Sequence, residues 1–213
     1  RNHFPCMKVI TSIWLALSIL GLVILASYQS DAGAQGAAPR CWPTGSSLIR
    51  EKRNTLLIFL HPKCPCSMAS AHEMTGLLTQ KIRQNTSVYA IFVAPKGAPQ
   101  DFVDGPLYKY CSQIEGLKIV QDRDAVEANK FAALTSGQIY IYDQSGKLQF
   151  SGGITPGRGH EGDSLGFDRC QEILAKSSTG KQEIPKEQRQ QEEQNKICPV
   201  FGCPLLSDRG QTK

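Results

Sequence analysis

Cys64 and Cys66 are the residues of this 213-residue chain whose type and spacing best fit chemistry. They lie in the segment HPKCPCS (61–67), directly after the apolar run TLLIFL (55–60). A short, continuous, β-branched and aromatic run of this kind indicates a strand buried on both faces. Reactive groups in open α/β sheets gather at the carboxyl ends of strands. The sequence therefore predicts thiol chemistry at the end of a central strand.

Cys64 is predicted to be the attacking sulfur. It precedes Pro65, and proline suits the first helical position, so Cys64 is expected to be the N-cap of a helix over about 65–83. The unpaired N–H groups of the helix and nearby Lys63 both favour thiolate, which predicts a pKa below that of Cys66. Cys66 is expected to be a resolving thiol or a metal ligand, because a direct Cys-x-Cys bridge would be strained. The alternative is two buried structural cysteines.

A glycine-rich polar loop at 152–166 carries the other candidate catalytic residues, Arg158 and His160. Folded over the thiols, it would supply a cation and a proton donor; otherwise it is a solvated surface loop.

The remaining pattern alternates strands with helices. A second buried strand is predicted at 88–93, parallel to the strand at 55–60 and joined to it by the helix. Weaker signals predict a helix within 100–114, a strand at 117–120, a helix at 125–134, a hairpin of 138–142 with 147–150, and a helix at 167–176. These elements predict an α/β fold with a mixed central sheet flanked by helices.

Three segments in this order, TLLIFLHPKCPCSMAS, TSGQIYIYDQSGKLQFSGGIT and GRGHEGD, resemble the RedB-type branch of thioredoxin-like proteins over about 50–175. The resemblance implies a thioredoxin fold, redox-active Cys64 and Cys66, and a companion loop at 152–163 near them. The chain departs from ordinary thioredoxins in having Cys-Pro-Cys rather than Cys-x-x-Cys. Ser136-Gly137 also stands where a cis-proline normally precedes the hairpin strand, and His61 replaces the threonine of the peroxiredoxin pattern.

The stretch 9–28 has no charged residue in 20 positions, which predicts a transmembrane anchor or a signal segment. Its length favours a retained anchor, whereas Ala32-Gly33-Ala34 fits a cleavage site. Arg1 and Lys8 precede the run, and positive charge tends to stay in the cytoplasm. The main domain is therefore expected on the extracytoplasmic (periplasmic) side, either anchored in the membrane or exported after cleavage. Met7-Lys8 is typical of a signal start, so residues 1–6 receive no functional weight.

Eight cysteines suit an oxidising compartment. The exported part holds an odd number of them, so at least one is unpaired or intermolecular. Cys198 and Cys203, each followed by proline and separated by a glycine-containing turn, are predicted to form a local structural disulfide. The rival outcome, a bond from one of them to Cys64 or Cys66, would make the tail a resolving arm.

The predicted organisation is a chain of one domain with extensions. Its segments are an N-terminal flank (1–8), an anchor or signal (9–28), a linker (29–47), a thioredoxin-like domain (48–176), a polar tether (177–196) and a cysteine-containing tail (197–213).

The favoured function is a thiol–disulfide oxidoreductase acting on a protein or small-molecule disulfide or thiol, with no cofactor. The first alternative is a copper(I)-binding or delivery module that uses Cys64 and Cys66, with His61 or His160, as ligands. A peroxiredoxin-like thiol peroxidase is a further alternative. The net charge of +5 is spread along the chain and does not form a basic stripe, which argues against a nucleic-acid partner.

Overall fold

The structure, a computed structural model, describes residues 4–179 and 198–206. Residues 1–3, most of the predicted tether (180–196), residue 197 and the end of the tail (207–213) lie outside the described residues.

Five strands form one mixed sheet. In chain order they are β1 (Asn54–Leu60), β2 (Thr86–Ala94), β3 (Leu117–Arg123), β4 (Gln138–Asp143) and β5 (Leu148–Gly152). The strands lie side by side in the order β3-β2-β1-β4-β5. β1, β2 and β3 are parallel, and β4 is antiparallel to both β1 and β5. The predicted α/β class, the mixed sheet and the hairpin are confirmed.

β1 and β2 are inner strands of the sheet, and all their residues are buried. Leu56 faces Val88 and Leu60 faces Phe92 in the parallel register. The predicted pairing of these two strands is therefore confirmed, and the carboxyl end of β1 opens directly onto the loop that carries Cys64.

Six helices are described: α1 (Phe4–Ser30), α2 (Ser67–Leu77), α3 (Gln80–Asn85), α4 (Pro106–Ser112), α5 (Val126–Lys130) and α6 (Leu165–Thr179). The single helix expected over 65–83 is two helices. Leu78 leaves helical geometry with ψ of 63°, and the Thr79 hydroxyl then caps α3 by accepting from the Ile82 amide.

Apolar layers cover both faces of the sheet. One layer packs β1 and β2 against α2, α4 and α6 through residues such as Met74, Leu107 and Leu174. The other places Phe59, Phe131 and the tail residue Leu205 together on the opposite face. Because both faces are covered, the loop that carries Cys64 lies at the carboxyl ends of the strands and not on a face of the sheet.

Helix α1 projects its apolar side chains outward. Its stretch Met7–Ser30 has a mean hydropathy of 2.5, with none of it buried against the rest of the chain. It is long and apolar enough to cross a membrane, and a signal sequence has the same properties.

The segment 29–47 differs from the expected linker because it packs against the domain. The Trp42 ring lies 5.1 Å from that of Phe131 and 5.2 Å from that of Tyr142, measured between centroids. The Trp42 amide donates to the Gly146 carbonyl at 2.7 Å. The sequence pattern missed this because the segment has no periodicity; its contacts come from single residues.

Glu127 fixes the next stretch of the same segment. Its buried carboxylate accepts hydrogen bonds from the hydroxyls of Ser46 (2.6 Å) and Ser47 (3.1 Å) and from the Ser47 amide (3.0 Å). Lys130 completes the cluster at 2.9 Å. Burial works to raise the pKa of Glu127, but the bonds from Ser46, Lys130 and Ser47 outweigh it and hold the pKa below its ordinary value of 4.5.

Replacing Trp42 with alanine tests whether 29–47 belongs to the folded domain. We expect Trp42→Ala to lower the free energy of unfolding by about 3 kcal/mol, since a large aromatic contact is lost. Urea unfolding of the full chain in detergent, followed by circular dichroism, measures this. Trp14→Ala, on the exposed face of α1, is the matched control and should change nothing. Equal stability of both variants would restore the linker interpretation.

Glu127→Gln should lower the free energy of unfolding by about 1–3 kcal/mol at neutral pH, because the buried cluster loses its charged acceptor. A carboxyl with a lowered folded pKa contributes stability above its unfolded pKa and loses it as pH falls through the folded value. The difference in free energy of unfolding between wild type and variant, measured by urea unfolding at several pH values, should therefore narrow below about pH 4.5. Glu51→Gln, at an exposed ion pair with Lys118, is the control and should have little effect. A gap that does not change with pH would contradict this account.

Candidate functional site

Cys64 and Cys66 lie in a tight turn between the end of β1 and the start of α2. The Cys64 amide donates to the His61 carbonyl at 3.1 Å, and the Ser67 amide donates to the Cys64 carbonyl at 3.2 Å. The helix begins at Ser67, so its N-cap is Cys66 and not Cys64 as predicted. Pro65 lies in the turn and does not open the helix, which leaves Cys64 three positions before Ser67, the first helical residue.

The tail brings a third thiol to this turn. The Sγ of Cys203 lies 2.9 Å from the Sγ of Cys64, and the Cys203 amide points at the same sulfur at 3.4 Å. The two residues are 139 positions apart in sequence. Because a disulfide has an S–S length of about 2.05 Å, the pair would bond after an approach of under about 1 Å.

The structure does not bring Cys203 and Cys198 together as the predicted disulfide requires. Cys203 faces Cys64, whereas the Cys198 sulfur lies 4.0 Å from Arg169 and near enough to Cys170 to raise the pKa of that buried thiol, in addition to the larger effect of burial. The tail runs along the domain and does not fold back on itself, so the two thiols have different surroundings. Cys64 and Cys203 are both free thiols, so the structure shows a contact between them and not the bond of the rival outcome.

Backbone pairing holds the tail beside the residues that precede β4. The Ser136 amide donates to the Cys203 carbonyl at 2.8 Å, and the Leu205 amide donates to the Leu134 carbonyl at 2.9 Å. Gly202 makes this approach possible, since a Cβ at that position would lie 1.9 Å from the Ser136 carbonyl oxygen. Any larger residue would push the tail away from the sheet.

Two buried hydroxyls join the elements beneath Cys64. The Ser136 Oγ accepts from the His61 amide at 2.7 Å and lies 2.5 Å from the Ser67 Oγ. Ser67 and Ser136 are each 1% exposed. The end of β1, the start of α2 and the segment before β4 are thus fixed to one another at the site.

The surroundings separate the pKa values of the three thiols. Burial works to raise the pKa of Cys64, but hydrogen bonds from the Cys203 thiol, from Ser67 and from the Cys203 and Cys66 amides outweigh it and lower that pKa. Burial raises the pKa of Cys66, and the neighbouring Cys64 adds to the effect. Burial and the bond to Cys64 raise the pKa of Cys203 to about 12. The Cys64 sulfur is therefore the one that most readily carries negative charge.

Arg158 reaches the site through the tail. Its Nη1 donates to the Gly202 carbonyl at 2.7 Å and its Nε to the Asp31 carbonyl at 2.9 Å. Its positive charge opposes the pKa increases of Cys66 and Cys203, although burial is larger in both. Arg158 thus connects the loop at 152–166, the segment after α1 and the tail.

His160 lies on the exposed part of the same loop. Its amide donates to the Gly157 carbonyl at 3.3 Å, and among the described residues its ring makes no hydrogen bond. The structure therefore brings Arg158 to the tail next to the thiols and leaves His160 at the surface.

His61, the third ligand of the copper alternative, is turned toward its own loop. Its Nδ1 accepts from the Lys63 amide at 3.2 Å, and its ring packs edge-on against Phe102. Burial lowers the pKa of His61, and the charge of Lys63 lowers it further. Within residues 4–179 and 198–206, no group of three or more His, Cys, Asp or Glu side chains is arranged to hold a metal ion.

A cleft of 410 Å³ between α3 and α6, lined by Ile82, Asp168 and Glu172 among others, contains none of the three thiols. It is separate from the site described above.

The sequence predicted Cys203 as a disulfide partner of Cys198, with a resolving tail thiol as the rival outcome, and it did not identify Ser67 and Ser136 as site residues. The odd number of exported cysteines was a signal for a reactive tail thiol, and Ser136 was noted for replacing the usual cis-proline. Among residues 4–179 and 198–206 the structure has no cis peptide bond. Neither signal could locate the contact, because the pairing of 134–136 with 203–205 depends on the folded sheet.

Comparison with solved structures gives two alignments that each cover 85% of this chain, and further alignments that cover less of it. An uncharacterised conserved protein from Geobacillus kaustophilus has a TM-score of 0.56 at 18% identity, covering 85% of this chain and 95% of its own. A hypothetical protein from Sinorhizobium meliloti 1021 has a TM-score of 0.56 at 17% identity, covering 85% and 99%. The pneumococcal exposed lipoprotein thioredoxin Etrx1 of Streptococcus pneumoniae aligns with a TM-score of 0.42 at 13% identity, covering 66% and 99%.

No protein-family model and no curated protein matches the chain. The likeness to solved structures concerns the fold alone. The chain has a thioredoxin-like fold, with a mixed sheet of five strands flanked by helices and preceded by an apolar N-terminal helix.

Proposed function

We propose that this protein is a thiol–disulfide redox protein whose redox pair is Cys64 and Cys203. The observation that carries the proposal is the 2.9 Å contact between their sulfur atoms at the carboxyl end of β1. One sulfur of the pair has a lowered pKa and the other a raised pKa, which suits an attacking thiolate and a resolving thiol.

The reaction begins from the reduced protein. The Cys64 thiolate attacks one sulfur of a substrate disulfide, forms a mixed disulfide and releases the first substrate thiolate. Cys203 then gives up its proton and attacks the Cys64 sulfur, which forms the Cys64–Cys203 disulfide and releases the second substrate thiolate. The substrate gains two electrons and the protein loses two.

The surrounding residues have defined parts in this scheme. Ser67 and the amides of Cys66 and Cys203 stabilise the thiolate of Cys64 through hydrogen bonds. Arg158 positions Cys203 by binding the Gly202 carbonyl. Cys66, with its raised pKa, is a protonated neighbour that does not take part in the bond.

The proposal extends to location and kinship. An oxidising extracytoplasmic compartment would maintain such a disulfide, and Lys8, directly before the charge-free stretch 9–28, favours that orientation. The RedB-type branch of thioredoxin-like proteins remains the proposed kinship, on the motifs around Cys64 and 152–163.

Alkylation of individual cysteines tests the thiolate assignment. Cys64 should react with iodoacetamide at lower pH than Cys66, because only the Cys64 pKa is lowered. Ser67→Ala should move the Cys64 profile to higher pH by removing one hydrogen bond. Tandem mass spectrometry that separates the two sites measures both profiles across pH.

Ser112→Ala, at an exposed hydroxyl bonded to the Lys109 carbonyl, is the matched control and should leave the Cys64 profile unchanged. A faster reaction of Cys66, or two identical profiles, would contradict the mechanism. If the reduced protein then also bound copper(I) in a competition titration and failed to reduce disulfides, the copper alternative would be preferred.

Oxidation of the full chain should join Cys64 to Cys203, as detected by peptide mapping without reductant. Gly202→Ala should slow formation of this bond and raise the Cys64 pKa, because the added Cβ would clash with the Ser136 carbonyl and move Cys203 away. Gly105→Ala is the matched control, since a Cβ there meets no atom within 4 Å. Recovery of a Cys198–Cys203 bond in the wild type would refute the proposed redox pair.

A further inference from the structure

The three thiols of the site differ in their access to solvent. Cys64 is 5% exposed and Cys66 is 8% exposed, whereas Cys203 is only partly buried. Cys203 is thus the most exposed of the three, and its sulfur and amide both contact the Cys64 sulfur. A molecule that approaches the oxidised pair from solvent therefore meets the Cys203 sulfur first.

The tail cannot be treated as a loose arm that moves aside. Val200 is fully buried and Leu205 is 1% exposed. Arg158 binds the Gly202 carbonyl, and the Ser136 amide binds the carbonyl of Cys203 itself. These contacts keep the backbone of Cys203 beside Cys64, and in the oxidised protein the bond between the two sulfurs would also hold the Cys203 sulfur over Cys64. Reduction removes that bond, which leaves the Cys203 side chain free to turn aside when a substrate reaches Cys64.

The leaving group favours the same sulfur. Thiol–disulfide exchange is faster when the expelled thiol has a low pKa. Attack on Cys203 expels Cys64, whose negative charge is stabilised by the Cys203 and Cys66 amides and by Ser67. Attack on Cys64 would expel Cys203, a thiol whose pKa is raised to about 12 by burial and by its neighbour Cys64.

We propose that an external thiol donor reduces the Cys64–Cys203 disulfide by attacking the Cys203 sulfur, so that the donor's mixed disulfide forms on the tail. This inference rests on the proposed function and adds the entry point for electrons. The substrate and the donor thus use different sulfurs, Cys64 for the substrate and Cys203 for the donor.

The exchange balances in two steps. A donor thiolate forms a bond to the Cys203 sulfur while the Cys203–Cys64 bond breaks, and the electron pair of that bond leaves on Cys64. A second donor thiolate attacks the donor sulfur of the mixed disulfide and releases Cys203, which takes a proton from water. Two donor thiols become one donor disulfide, and the protein disulfide becomes two thiols.

The test uses the oxidised full chain in detergent with half an equivalent of reduced glutathione as the donor thiol. Scarcity of the second thiol slows release of the mixed disulfide by a second glutathione. Acid quenching at short times protonates the released Cys64 thiolate before it can displace the bound glutathione, and alkylation then stops further exchange. Peptide mass spectrometry should find about tenfold or more glutathione on Cys203 than on Cys64. The Cys66→Ser variant removes the nearby thiol to which the glutathione could migrate. It should give the same ratio, because the adduct forms on Cys203 directly.

Cys111→Ser is the matched control, because Cys111 is fully buried and outside the cluster; its ratio should equal that of the wild type. Three results would overturn the inference without affecting the proposed redox pair. They are glutathione mainly on Cys64, equal amounts on both cysteines, and glutathione on neither while reduction proceeds. Failure of the oxidised chain to contain a Cys64–Cys203 bond at all would instead refute the proposed function.

Discussion

The backbone pairing between the tail and the residues before β4 is the interaction on which the candidate site depends. The Ser136 amide donates a hydrogen bond to the Cys203 carbonyl, and this bond holds Cys203 against Cys64. The Ser136 hydroxyl at the same time binds the amide at the end of β1 and contacts Ser67 at the start of α2. Loss of this pairing would remove the third thiol and two of the bonds that stabilise the Cys64 thiolate.

The competition between burial and hydrogen bonding sets the direction in which the pKa of each buried thiol is shifted. Burial alone raises the pKa of Cys111 to about 12, and it is also the main reason why the pKa of Cys170 is raised. Cys64 is also buried, yet its pKa is lowered, because donors surround its sulfur. Each unit of pKa corresponds to about 1.4 kcal/mol between thiol and thiolate, so a few well-placed hydrogen bonds are enough to reverse the effect of burial.

Small residues let the tail settle so closely on the domain. A Cβ at Gly202 would lie 1.9 Å from the Ser136 carbonyl oxygen, and one at Gly153 would lie 2.3 Å from the Pro199 carbonyl oxygen. Glycine at these positions allows backbone to approach backbone, which larger side chains prevent. The tail therefore extends the folded domain beyond the sheet and its helices, and places a thiol where the first 179 residues supply only Cys64 and Cys66.

Much of the fold followed from the sequence, because it is encoded by local patterns. The apolar runs at 55–60 and 88–93 predicted buried central strands, and the turn residues at 143–146 predicted the hairpin of β4 and β5. The position of Cys64 at the carboxyl end of a central strand also followed, since it needs only the strand and the following helix. The break at Leu78 and the packing of Trp42 were missed, because neither leaves a periodic signal.

Only the tertiary structure decided which cysteines meet. The sequence favoured a local bond between Cys198 and Cys203, whose separation is short, whereas the fold places Cys203 beside Cys64, 139 positions away. Such a contact is set by strand pairing, by the close approach at Gly202 and by the buried hydroxyl of Ser136. None of these is encoded near Cys64 in the chain. The sequence by itself therefore determined that Cys64 follows a central strand, and the three-dimensional packing determined which thiol lies beside it.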